Sequence, residues 1–566
     1  MDRIKHQNAK TSAYALPLAL ILLLFASVTG LALASLTITS ASIGAKGDNA
    51  LRAQSMADDG LVYWEANFDQ KIKEAGNVDP SAADRTLTQI VASITPPDNA
   101  GFTLEKSVSP ISGDQHGKID PNVYSAYVTV TVKGTYGASE RKITRTYLVT
   151  TVAKPFMFAL VTDGKLSFNG AAYVEGDALI TGPLESSPYA HYDWGLFGGD
   201  TKRTGYSALK GKLYSERDDI ILTHYKRLFG SWVKEQLPLT PENLQKGFVV
   251  PPTLSHGTVE KQTIPVRQLV SEKESQKPLL SEDVVYKKCK AWNKRGNCTR
   301  WETDLIVKAQ DIELMNILNK NRGLWVKGKL EIKPNVTWLI VNGDLLVEGD
   351  LIIGKGASLS VWGGNVYVGG KAEVQGDGAA RSALQLNPGQ WMYVAKDTLM
   401  KDAYFQGTLY SKGNVRIQKN LWYRSTIYTA GEATIEDFEM QANNFTIVAA
   451  DKEVLVKNNN LFNSQPLVMN AYFYSNQDIT LYGVGSNIEI HGGVMGRNVI
   501  LNAAKGKTWE CWFGLDICFE EPQEQLPIER SRLKIFYNPD VILNPPSGIY
   551  QPGPLTYKVY STSLQD

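Results

Sequence analysis

Apolar positions change pattern twice in the first 75 residues. Met1–Lys10 is polar, with Arg3, Lys5 and Lys10 against Asp2 alone. Thr11–Ala45 carries no charge, and its core, Ala13–Leu36, is mostly Leu, Ala and Ile. A run of about 20 apolar residues crosses a bilayer as a helix. Ala53, Ala57, Leu61, Trp64, Phe68 and Ile72 then recur at steps of three or four, the single stripe of an amphipathic helix. The pattern predicts one helical unit over residues 1–75: leader, membrane span and amphipathic continuation. Positive charge before a first span stays cytoplasmic, so the bulk of the chain is expected outside. A cleaved secretory signal is the alternative, since Ala32-Leu33-Ala34 before Ser35 resembles a cleavage site. The apolar run exceeds the about 7–15 residues of a signal core, and the stripe continues the helix, which favours a retained single-pass anchor in the cytoplasmic membrane.

Residues 76–110 read as linker, rich in Pro, Ser, Asn and Asp and broken by Pro96-Pro97. Tyr127–Lys133 and Lys142–Val152 alternate as strands, with Gly134 and Gly137 between them. A linker and hairpin region is expected over 76–155.

Glycines then set a period. Gly164, Gly170, Gly176 and Gly182 are six apart, and the spacing returns at Gly343 and Gly349, at Gly364, Gly370 and Gly376, and at Gly407 and Gly413. Short β-branched or aromatic runs lie between them, such as Leu345–Val347, Leu351–Ile353 and Val366–Val368. Short strands turned at fixed spacing predict a mainly β chain with a right-handed parallel β-solenoid. A sandwich of short hairpins is the rival, because glycine spacing alone does not fix strand direction. Further strands are expected over Tyr404–Ile417, Trp422–Ile435, Phe445–Val456, Ala471–Tyr482 and Ile488–Ala503. A first solenoid segment is expected over 156–189, the main one over 323–505 and a C-terminal cap over 506–566. Between the two, 190–322 reads as an α/loop insertion. Its expected helix is capped by Ser215, carries Ile221, Tyr225, Leu228 and Trp232 on one face, and stops at Pro238.

Composition narrows the function. The chain is 43% hydrophobic and 21% charged with a net charge of +1, so no concentrated basic face suggests nucleic-acid binding. Its 48 glycines and 26 tyrosines agree with β architecture.

Candidate chemistry is sparse. Cys289 with Cys298 and Cys511 with Cys518 form two close pairs, expected as local disulfides, with free thiols or a metal site as alternatives. His6, His116, His191, His224, His256 and His491 form no HExxH or HxH arrangement. Gly363–Lys371 imitates a phosphate loop, but Asn365 and Ala372 occupy positions that need Gly and Ser or Thr. Asp344 and Asp350 have the spacing of a glycosidase carboxylate pair on a solenoid, yet both follow a glycine, where Asp is ordinary turn chemistry. No catalytic residue, metal or cofactor is expected. Trp292, Trp301, Trp509, Trp512 and Phe513 cluster around the cysteine pairs. They are either a binding surface or packing over the solenoid ends.

The N-terminus resembles the PilX-type domain of type IV pilus minor pilins over about residues 1–75. Leu51–Leu61 is similar to that family's A-x-x-A-E-x-G-L segment, with Asp59 in place of Glu. Two features depart from it. Lys10–Tyr14 lacks the glycine of a prepilin cleavage site, so Ser12–Ala13 is the bond expected if one is cut. Residues 13–20, AYALPLAL, lack the glutamate that major pilins carry. The ectodomain resembles an uncharacterised β-helical surface domain through Phe168–Gly176, Trp338–Gly349 and Leu533–Gly548. These resemblances imply a non-enzymatic minor pilin or pilus tip component, adhesin-like, whose helix meets other pilins, assembly proteins or membrane. The partners then expected are those proteins and a surface glycan or protein, with no nucleic acid. An anchored envelope protein outside any filament and a β-helix enzyme acting on polysaccharide are the rivals.

Overall fold

The computed structural model describes the chain apart from residues 1–11, 112–121, 193–199, 216, 218, 229–230, 257–262, 278–287, 290–299, 302, 313, 317–321, 377–381, 423, 439–441, 512–515 and 566. It is mainly β, with 48% of residues in strands, one long N-terminal helix and a β-solenoid of about 13 turns between residues 160 and 503.

Helix α1 runs over Ser12–Ala75. The stripe read from the sequence is its buried face: Ala53, Ala57, Leu61, Trp64, Phe68 and Ile72 are each at most 5% exposed. They lie on an antiparallel sheet built from β1 (Phe102–Pro110), β2 (Ser125–Tyr136) and β3 (Ser139–Thr150). The fourth strand is the end of the chain, Thr556–Gln565, paired antiparallel with β3. Helix and sheet approach closely because two glycines face each other's element. A Cβ on Gly60 would stand 2.6 Å from both the Phe102 ring and Val132, and one on Gly134 would overlap the Ala53 carbonyl. Glycine inside a helix is otherwise unfavourable.

Residues 76–110 are not a linker. They hold α2 (Ala83–Ser93), whose Leu87, Ile90 and Val91 join the same core, and then β1. The short α2 stripe is hidden by its Pro-rich flanks. β1 turns Phe102, Leu104 and Val108 half-buried towards the helix and keeps Glu105 exposed.

Strands of the solenoid pair in parallel from coil to coil, which excludes the sandwich. One inward row runs Leu345, Val366, Met392, Leu409 and Ile427, each paired with the next and each at most 1% exposed. Gly328, Gly349 and Gly370 stack at one corner, joined by Gly370 N–H to Gly349 O at 2.9 Å and Gly349 N–H to Gly328 O at 3.0 Å. A Cβ on Gly349 would lie 2.8 Å from the Gly328 carbonyl, so only glycine fits there. Their interval is a full coil, and the spacing of six marks neighbouring corners within one.

Stack order differs from chain order. The last coil of the main run, Ile488–Gly496 with Asn498–Ala503, pairs onward with Leu533–Tyr537, Leu160–Thr162 and Leu166–Gly170. Those three strands form one composite coil from segments more than 360 residues apart. The stack continues through Tyr173–Glu175, Ala178–Ile180 and Leu184–Ser187, and then through Ala208–Lys210, Lys212–Ser215 and Thr253–His256. The chain thus enters the solenoid about three rungs from one end and winds to that end. It crosses back through helix α3 (Val266–Ser275), winds inward from the other end, and leaves where it entered. Residues 190–322, expected as an insertion, supply part of this stack.

The helix expected after Ser215 is instead an antiparallel hairpin, Ile221–Leu228 with Ser231–Pro238. Leu222 and His224 are buried while Ile221 is 43% exposed, a period of two rather than 3.6. Pairing with Leu184–Ser187 of the preceding coil overrides the helical spacing.

A second apolar core lies outside the coils, on one face. The row Leu346, Tyr367, Tyr393, Tyr410 and Tyr428 points outward in register. Tyr367 stacks on Tyr393 at 4.9 Å and Tyr410 on Tyr428 at 5.2 Å. Covering this face are Val266 and Val270 of α3, Phe156 and Met157 at the way in, and Val541, Ile542 and Ile549 at the way out. Phenol hydroxyls fasten the cover: Tyr472 donates to Pro155 O at 2.6 Å and Tyr428 to Gly548 O at 2.9 Å. Lys558 of the C-terminal strand pairs with Asp177 of a solenoid corner at 2.7 Å, tying the α1–sheet unit to the coils.

Arg532, immediately before the composite coil, is 1% exposed. Its guanidinium donates to the carbonyls of Ser486 (2.9 Å), Gly485 (3.0 Å), Gly506 (3.1 Å) and Asn463 (3.2 Å). Burial lowers its pKa to about 10, which leaves it charged at neutral pH. Gly485 O also accepts the Phe462 N–H, and Asn463 O the Asn487 side-chain amide. Replacing Arg532 by Leu takes a second donor from these two and leaves the Ser486 and Gly506 carbonyls without a side-chain donor, each orphaned buried acceptor costing about 1–3 kcal/mol. The expected outcome is a loss of ~3 kcal/mol or more, measured as a lower urea midpoint for the full chain in detergent.

Candidate functional site

The membrane-facing candidate is the free half of α1. Leu18, Leu20–Leu24, Phe25, Val28, Leu31, Leu33, Leu36, Ile38 and Ile43 are all more than half exposed. At ~1.5 Å per residue, the stretch from Leu18 to Asn49 is roughly 48 Å long, against a hydrocarbon core of about 30 Å. It is long and apolar enough to cross a membrane. Some of its hydroxyls are satisfied within the helix: Thr29 donates to Phe25 O and Thr37 to Leu33 O, both at 2.7 Å. Charge begins at Lys46, and Asp48 pairs with Arg52 at 3.0 Å, where the helix meets the sheet. Arg52 also donates to the Tyr136 hydroxyl at 2.9 Å. Ser12 and Ala13 stand in the first helical turn, and their side chains lie outside the described residues.

On the packed half, Glu65 accepts from Arg145 at 2.6 Å and from the Tyr147 hydroxyl at 3.0 Å. Burial, and then Glu65, push the Tyr147 hydroxyl well above its ordinary pKa. This carboxylate serves the helix–sheet joint and not the free end of the helix.

Cys511 and Cys518 form a disulfide that closes the hairpin Thr508–Cys511 with Asp516–Phe519. Trp509 stands opposite Cys518 and is 47% exposed. Ile517 and Phe519 turn inward onto Ala190, Tyr192 and Val484. A cavity of about 220 Å³ lies beneath, bordered by Tyr192, Glu453, Lys457 and Tyr482. Burial, with Asp478 and Glu432 nearby, raises the Glu453 pKa. Trp512 and Phe513 lie outside the described residues.

At the far end of the stack, Trp301 pairs with Val326 and is half-buried against the interior core. Cys289 belongs to the strand Lys288–Cys289, while Cys298 and Trp292, and with them the expected Cys289–Cys298 bridge, lie outside the described residues. Nine successive pairings separate the Trp301 rung from the rung of Met495 beside the other hairpin. At ~4.8 Å each, that is roughly 43 Å. The two cysteine regions therefore do not share one surface.

Asp344 and Asp350 are corner residues. Asp344 accepts the Asn365 N–H at 2.8 Å, and Asp350 accepts the Lys371 N–H at 2.7 Å, each from the coil above. The glycines of Gly363–Lys371 turn the same corners: Gly364 stacks on Gly343 and Gly370 on Gly349. Among the described residues, no group of three or more His, Cys, Asp or Glu could hold a metal ion. Trp338 and Trp362, 49% and 47% exposed, escape the sequence pattern because each adjoins an inward Leu or Val and reads as part of an apolar run. The covered tyrosine row escapes it too, since only the stacking shows that these positions share a register.

No protein-family model matches the chain, and no curated protein does. Among solved structures, the crystal structure of the competence-associated pilin ComZ from Thermus thermophilus matches at 11% identity, covering 91% of this chain and 97% of that chain, with a TM-score of 0.19. A superposition that loose does not establish a shared fold.

The strongest carboxylate shift lies beside the composite coil. His491 (3.6 Å) and Lys534 (2.9 Å) flank Glu489. The His491 hydrogen bond first, and then Lys534, hold its pKa at about 2, against the burial that would raise it from 4.5. A depressed carboxylate stabilises the fold fully above the unfolded pKa, and that contribution fades as pH falls from 4.5 towards about 2. Glu489→Gln is expected to lower the urea midpoint at neutral pH, with the gap from wild type closing as the pH approaches about 2.

Proposed function

We propose that this chain is a non-enzymatic subunit of a type IV pilus or related pilin-like filament, a minor or tip pilin that carries a β-solenoid outward as an adhesin-like module. One observation carries the reading. A single helix packs half its length on a four-stranded antiparallel sheet and leaves the other half bare, apolar and longer than a bilayer requires. A plain anchor needs no such half-packed stalk, whereas a filament subunit uses the bare half against neighbouring helices and the membrane before assembly. The solenoid is inserted between β3 and the last strand of that sheet, so the same unit carries it.

The absence of carboxylate in residues 13–20 supports a tip or initiating position. A buried helix carboxylate is tolerable only beside a partner's charge, and a subunit at the tip has no subunit above it to engage. The missing glycine before Ser12–Ala13 favours a second reading, an uncleaved membrane-anchored envelope protein with no filament role. A non-enzymatic role is supported by the engagement of Asp344 and Asp350 in corner hydrogen bonds.

Shearing cells and separating filaments from membranes tests the proposal, with the mature N-terminus sequenced in each fraction. The chain is expected in the filament fraction, with its N-terminus at Ala13 or intact. Detection only in membranes supports the anchored reading, and an N-terminus at Ser35 in a soluble form contradicts both.

A further inference from the structure

Towards the Trp301 end of the solenoid, four successive strand stretches form one outward face: Leu339–Asn342, Ser358–Trp362, Ser382–Leu386 and Ala403–Gln406. Their inward residues, among them Leu339, Val361, Leu384 and Phe405, are completely buried, so alternate positions face out. Three of the outward residues are aromatic: Trp338, Trp362 and Tyr404. Three are amides: Asn342, Gln385 and Gln406. None of the outward positions on these stretches is Lys, Arg, Asp or Glu. Trp338 and Trp362 are 49% and 47% exposed, a large apolar area left in water on an uncharged strip.

Register orders these groups. Ile340, Ser360, Gln385 and Gln406 form one column across four rungs, and Ser360 donates to Gln385 Oε1 at 3.3 Å. The column repeats at ~4.8 Å. Trp338 stands at one margin of the face and Trp362 at the other, one rung away and roughly 14 Å apart by strand geometry. The two flat apolar platforms thus stand on the first two rungs, beside Ile340 and Ser360, and a row of neutral donors and acceptors, Ser360, Gln385 and Gln406, runs on from them over the next two.

We infer that this face binds a neutral polysaccharide, whose sugar rings lie on Trp338 and Trp362 and whose hydroxyls reach Gln385 and Gln406. A sugar ring offers an apolar C–H face to an indole and hydroxyls to an amide, and a repeating polymer matches a repeating row. The lack of charge argues against other polymers: a nucleic acid needs cations for its phosphates, and an acidic glycan needs them for its carboxylates. The pairing of aromatic and amide positions arises only from the coil stacking and is independent of the filament reading.

The test uses the full chain in detergent, titrated with soluble oligomers of β-1,4-glucan, N-acetylglucosamine and α-1,6-glucan. Polygalacturonate and single-stranded DNA are run in parallel, with tryptophan fluorescence and calorimetry as readouts. At least one neutral oligomer is expected to bind with an affinity unchanged between low and high salt. Trp338→Ala and Trp362→Ala should each weaken it about tenfold or more, the scale of a lost stacking platform. Trp338→Tyr should retain most of the affinity and Trp509→Ala all of it, with unchanged thermal melting showing that each variant is folded. Overturning results would be no binding of any neutral oligomer at millimolar concentration, binding that survives both alanine variants, or salt-sensitive binding of only the acidic polymers.

Discussion

The composite coil, in which Leu533–Tyr537 joins Leu160–Thr162 and Leu166–Gly170, is the constraint on which the rest of the structure depends. It completes one layer of the solenoid from two distant pieces of chain. Without it the stack would have two extra open ends in its interior, each a row of unpaired backbone groups. The same closure brings residues 538–555 beside 151–159 and delivers the last strand to β3. Closing so long a loop is entropically unfavourable, and the compensation is visible: parallel pairing on three sides, the buried Arg532 and the pair of Glu489 with Lys534.

The covered tyrosine face does the second job. Coils alone would leave Tyr367, Tyr393, Tyr410 and Tyr428 in water. The crossing helix α3 and the two passages to the sheet bury them, so the route of the chain and the burial of this face are one solution. Lys273 of α3 lies over Trp391 and Tyr410 at 5.0 and 5.6 Å, and burial lowers its pKa. With that face closed, the surfaces open among the described residues include the bare half of α1 and the other outward faces of the coils. This division fits a subunit that assembles through one end and presents the remainder.

Much of this is legible in the residues, wherever a pattern has one structural meaning. The stripe from Ala53 to Ile72 can only be one helical face, and it is buried as read. Glycines six apart mark corners, because the coil above leaves no room for a Cβ. Legibility ends where two structures share a pattern. Ile221, Tyr225 and Leu228 satisfy a helix, but the preceding coil offers a strand partner, and Leu222 and His224 go inward instead. Stack order is invisible for a deeper reason: every coil has the same inward chemistry, and nothing in Leu160–Gly170 says that its neighbour is Asn498–Ala503. The outward Trp338 and Trp362 were hidden among apolar neighbours until the pleat separated the faces.

Hydrogen exchange of the full chain in detergent is the most direct measurement of this arrangement. If the composite coil is an interior layer, amides of Leu160–Gly170 and Leu533–Tyr537 will exchange as slowly as those of Ile427 and Val448 in the middle of the main run. Both segments will also lose protection together when Arg532 is replaced by Leu. Rapid exchange of either segment, at the rate of the solenoid ends, or protection of one without the other, would contradict a single continuous stack closed at that coil.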